Sequence, residues 1–103
     1  MEASQEYLFG LGLIRKFEEQ LREIAQAESF KSAKPLISAV RHPVTGAMAQ
    51  IKEGKGPLRE DLLRVLATVV SEFREQRDFE SLKKAIEELL TLVEQEQHSS
   101  VES

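Results

Sequence analysis

At 103 residues the chain fits one domain with a modest core. Having no cysteine, it has no disulfide framework, Cys-ligated zinc or thiol nucleophile. The net charge of −4 is unevenly spread: residues 1–30 carry three basic and six acidic groups, residues 31–59 six basic groups against Glu53 alone, and residues 60–103 five basic and eleven acidic.

The pattern of apolar residues follows the helical period throughout, and no stretch alternates as a strand would. The first predicted helix runs from about Gln5 to Ala27 with Ser4 as its N-cap. Tyr7, Leu11, Ile14, Phe17, Leu21, Ile24 and Ala25 share one face. Gly10 and Gly12 weaken its first turns by roughly 1 kcal/mol each relative to Ala, so the helix frays there or something approaches its backbone closely.

The second segment holds Pro43 and Gly46, both helix breakers, and Pro43 should clash with the carbonyl of Ala39. Yet Ala33, Leu36, Ile37, Val40, Val44, Ala47, Met48 and Ile51 stay in phase, within an arc of about 120° on a helical wheel. That phase favours one helix from Ala33 to about Glu53, kinked at Pro43, over two short ones.

Gly54-Lys55-Gly56 then reads as a turn, with Pro57 at the first position of the third helix. Leu58, Leu62, Leu63, Val65, Leu66, Val69, Val70 and Phe73 make its wide apolar stripe. The stripe falls out of phase beyond Phe73 and resumes at Phe79 and Leu82. A tight turn near Arg77-Asp78 is therefore expected, with Asp78 capping a fourth helix. On that helix Ala85, Ile86, Leu89, Leu90, Leu92 and Val93 continue the stripe, and Lys84–Glu88 is one of its i,i+4 pairs. The expectation is an all-α antiparallel bundle of four helices over residues 1–96, followed by a disordered polar tail over 97–103.

Catalytic chemistry is poorly supplied. His98 lies in the tail, and His42 lies off the apolar stripe with no evident partner for acid–base work. No Glu-x-x-His motif accompanies the outward-facing Glu18-Glu19 and Glu87-Glu88, which argues against a di-metal site. Gly54-Lys55-Gly56 lacks the spacing and the Ser/Thr of a phosphate-binding loop. No enzyme activity, cofactor or metal is expected. Glu2 and Glu6 stand where an export signal would be basic, and the longest apolar run, Tyr7 to Ile14, is too short to span a bilayer. A cytoplasmic location follows as the expectation, with a nuclear one open.

Two surface features remain. Away from the apolar stripe of the second helix, Lys34, Arg41, Thr45 and Lys52 fall within about 40° of one another. Lys55 and Arg59 extend this basic ridge, which suits an acidic protein or, less well, a phosphate backbone. No aromatic residues interleave with the basic ones, so stacking on single-stranded bases has little support. The second feature is the N-terminal run. Tyr7, Leu8 and Phe9 point about 100° apart on a helix, so one core cannot cover all three. Tyr7, Leu8, Phe9, Gly10 and Gly12 are thus candidates for self-association. The expected function is a non-enzymatic protein–protein interaction or assembly module, most simply a homodimer. The alternative is an anion or nucleic-acid binder using residues 31–59.

Overall fold

Ser4 begins the first helix as expected: its hydroxyl accepts the Tyr7 N–H at 3.3 Å, and α1 runs Gln5–Lys16. In this computed structural model, which describes residues 2–102 and side chains through Glu96, four further helices follow. They are α2 (Glu18–Gln26), α3 (Phe30–Glu53), α4 (Arg59–Glu75) and α5 (Phe79–Glu102). No strand occurs among the described residues. The tail expected to be disordered, residues 97–103, falls outside the described side chains.

The first helix was expected unbroken to Ala27 but divides at Phe17, whose backbone sits at φ −108°, ψ 18°. No Gly or Pro marks this break. Its cause is tertiary: α1 packs chiefly on α3, whereas α2 packs on both α5 and α3, and the two segments must turn to serve different neighbours. Five helices replace the expected four for this reason.

The next helix is a single one, but it starts at Phe30 rather than Ala33. Ser29 accepts the Ser32 N–H at 3.2 Å, and Ser32 Oγ accepts the Ser29 N–H at 3.1 Å. This reciprocal capping box supplies acceptors for two of the N–H donors a helix start leaves unpaired. Phe30 then meets Phe79 edge-to-face, with ring centroids 5.1 Å apart. Pro35 and Pro43 both lie inside α3. Each removes a bond to the carbonyl four residues back, at Lys31 and Ala39. Both of those residues are exposed, so water can reach the freed carbonyls. At 1.5 Å per residue α3 spans roughly 36 Å, close to the 41 Å long axis of the molecule.

The apolar stripes meet in one core. Tyr7, Leu11 and Ile14 from α1, Leu21 and Ile24 from α2, Val40, Val44 and Ile51 from α3, Leu62, Leu66, Val69 and Phe73 from α4, and Leu82, Ile86 and Leu89 from α5 are all buried. Helix α4 starts two residues later than Pro57 suggested, with Leu58 at its N-cap (φ −105°, ψ 18°) and the Leu58 N–H donating to the Tyr7 hydroxyl at 3.1 Å. The turn before α5 falls at Gln76–Asp78, with Gln76 left-handed at φ 52°, and Asp78 accepts the Ser81 N–H at 3.2 Å. On the α5 surface Glu88 pairs with Arg64 of α4 at 2.6 Å rather than with Lys84.

Candidate interaction surfaces

The N-terminal run splits between inside and outside. Tyr7 is fully buried. Its hydroxyl donates to Glu96 Oε2 at 3.1 Å while accepting the Leu58 N–H. Burial, with the Glu96 carboxylate adding to it and the Leu58 N–H opposing, pushes the Tyr7 hydroxyl up to about 12. Gly10 is also interior: a Cβ there would lie 2.7 Å from Ile51 Cγ1 and 2.8 Å from the Ala47 carbonyl oxygen. The close backbone approach at this glycine is therefore made by α3 of the same chain. Two of the five self-association candidates thus already have partners within the fold.

The other three point outward. Leu8 is 43% and Phe9 59% exposed, and a Cβ added at Gly12 would meet nothing within 4 Å. They sit on a helix backed mainly by α3 alone, so the outer side of α1 is uncovered.

The basic ridge also resolves into different roles. Lys34, Arg41, Lys52 and Lys55 are exposed, and among the described residues none has a carboxylate within ion-pair distance. Thr45 turns its hydroxyl back onto the Arg41 carbonyl at 2.9 Å, a bond within its own helix turn. Arg59 is committed to structure. Its Nε donates to the Gly54 carbonyl at 3.0 Å and its guanidinium also reaches the Lys52 carbonyl and Glu60. It thereby satisfies carbonyls at the end of α3 that the helix cannot. The shallow depression beside it is lined by Glu53 and Glu60 as well as Lys52 and Lys55, so its charge is mixed.

Two buried carboxylates were not singled out from the sequence. Glu72 Oε1 accepts the Arg77 and Asp78 N–H groups at 2.9 and 3.0 Å, closing the turn between α4 and α5. Glu96 receives the Tyr7 hydroxyl. A signal for both existed in the pattern, since Glu72 continues the stripe Leu62–Val65–Val69 and Glu96 continues Leu89–Leu92–Val93. Each carboxylate has a bonded structural partner, and among the described residues no buried side-chain nitrogen or oxygen lacks one. No group of three or more His, Cys, Asp or Glu is placed to hold a metal ion among these residues, and His42 is exposed. No helix among them is long and apolar enough to cross a membrane. Compared with known proteins, the chain matches no family model, no curated protein and no solved structure.

Proposed function

We propose that this chain is a non-enzymatic interaction or assembly module that associates with itself through the outer side of α1. The observation that carries this reading is the exposure of Leu8 and Phe9, adjacent large apolar side chains that their own fold covers only in part. Burying such a side chain is worth roughly 1.5–3 kcal/mol, and a two-fold arrangement counts each residue twice. In this reading α1 and α2 form one broken arm of a four-armed antiparallel bundle, α3 bends at Pro43, and the protein works in the cytoplasm.

The double change Leu8→Ser, Phe9→Ser tests the reading by sedimentation and light scattering. The wild type should show a concentration-dependent mass above the monomer, and the variant a folded monomer with an unchanged helical spectrum. A wild type that stays monomeric at millimolar concentration removes self-association.

A second reading has its own observation: among the described residues the cations Lys34, Arg41, Lys52 and Lys55 have no carboxylate partner, in a molecule otherwise acidic. They suit an acidic protein surface better than nucleic acid, which the acidic remainder would repel. Salt separates the two modes in the same experiment. Capture of a polyanion through the ridge should fall steeply as salt rises, while an interface held by Leu8 and Phe9 should persist.

A further inference from the structure

We infer that two copies of this chain pair antiparallel along α1, with Phe9 of each packed over Gly12 of the other; the inference rests on the self-association reading above. Placed about 100° apart per residue, Gln5, Phe9, Gly12 and Lys16 share the outer side of α1. Their spacings of four, three and four residues are those of a helix–helix seam, in which a side chain of one helix enters the hole between four residues of the other.

The seam holds a knob and a hole. Phe9 is 59% exposed, and at Gly12 nothing lies within 4 Å of where a side chain would begin. An aromatic ring from a neighbour can therefore lie against the backbone at Gly12, a position any larger residue would fill. Leu8 flanks the contact.

Charge selects the orientation. The first turn of α1 carries Glu6 and its last turn Arg15 and Lys16. Among the described residues none of the three is within ion-pair distance of an opposite charge. The Lys16 ammonium lies over the ring of Phe17, 5.8 Å from its centroid. When Phe9 lies over Gly12 of an antiparallel partner, Lys16 comes opposite Gln5 and beside Glu6 at both ends of the seam. A parallel pair would set Glu6 against Glu6 and Lys16 against Lys16. A second copy running the opposite way thus satisfies the apolar knob, the open backbone and both unpaired charged ends in one register. With three helical turns in contact the interface is small, which places the dimer at the weak end of specific association.

Sedimentation equilibrium of the full chain from micromolar to millimolar concentration gives the dimer constant for four variants. Gly12→Leu should weaken the dimer by about a hundredfold while melting no lower than wild type, because the added side chain meets nothing in its own fold. A folding defect cannot produce that combination. Lys16→Glu and Glu6→Lys should each weaken it by about tenfold in low salt, and the two together in one chain should restore it.

Orientation is read from cysteine cross-linking in this cysteine-free chain. A mixture of Gln5→Cys and Lys16→Cys chains should form the mixed disulfide faster than either chain links to itself. If wild type is monomeric throughout, both the self-association reading and this register fall. If wild type dimerises but Gly12→Leu leaves the dimer constant unchanged, or the charge exchange fails to restore it, or Gln5→Cys links fastest to itself, this register alone is wrong.

Discussion

The connections on either side of α4 are held in contrasting ways. The turn from α4 to α5 is closed by its own neighbours: Glu72 accepts the Arg77 and Asp78 N–H groups, and Asp78 caps the next helix through Ser81. The connection from α3 to α4 has a local bond of its own, from Arg59 to the Gly54 and Lys52 carbonyls, but is held also from far along the chain. Ser4 bonds Lys55 in both directions, its N–H to the carbonyl at 2.8 Å and its hydroxyl from the amide at 2.9 Å. Tyr7 lays its ring against Gly56 and accepts the Leu58 N–H, and Glu96 near the other end of the chain fixes its hydroxyl. A local device can fail without disturbing the rest of the fold. A device assembled from three distant segments ties the α1 start, the α3–α4 connection and α5 into one unit.

The sharpest way to break the distant device is Gly56→Ala. The new Cβ would lie 2.3–2.4 Å from three atoms of the Tyr7 ring, so ring or loop must move. Overpacking of this kind costs about 3 kcal/mol, a fall in melting temperature of roughly 12 °C or more for a domain of this size. An unchanged melting curve would mean that Tyr7 does not hold this loop.

Tyr7→Phe probes the same device more gently. It keeps the ring but leaves the Leu58 N–H and the Glu96 carboxylate without their partner, at a cost of about 1–3 kcal/mol. The wild type should also show an alkaline signature. Because the hydroxyl titrates at about 12 in the fold against 10.0 ordinarily, the folded state holds this proton more tightly. Its contribution is complete below about pH 10 and is lost as pH rises towards 12. Melting curves between pH 9 and 12 should therefore converge for wild type and Tyr7→Phe at the alkaline end. A constant gap across that range would contradict the assignment.

Asp78→Ala, in the local device, should have the smallest effect. Loss of this exposed N-cap should lower the melting temperature only slightly, and Glu72 still holds the turn from the other side. The Ser81 N–H and hydroxyl draw the Asp78 carboxyl below its ordinary value. Its contribution is therefore present above about pH 4 and lost as pH falls. Hydrogen exchange should report faster opening confined to the start of α5, with the α3–α4 connection unaffected.

The residues show directly why one device was legible and the other was not. Asp78 announces its role locally, because a capping side chain lies beside the donor it satisfies, and the phase change after Phe73 marks the same turn. The helical stripes were legible for a similar reason: burial on one side imposes a period of 3.6 on the residues themselves, so Val40, Val44 and Ile51 could be assigned inward across Pro43. That Tyr7, Leu8 and Phe9 could not all lie on one buried face followed from the same geometry, although which of them turned outward did not.

Tertiary structure alone decided the rest. Nothing in Phe17 marks a break, because the break serves neighbours that α1 and α2 acquire only on packing. Tyr7 looks like any other apolar position until Glu96 and Leu58 are brought to its hydroxyl, and Gly10 becomes necessary only when Ala47 and Ile51 arrive against it. Arg59 counted as one more ridge cation until the carbonyls of Lys52 and Gly54 were placed within its reach. Period and capping are properties of a single helix and can be read along the chain; which side chain completes another's hydrogen bonds depends on which helices become neighbours, and that is settled by the packing of all five together.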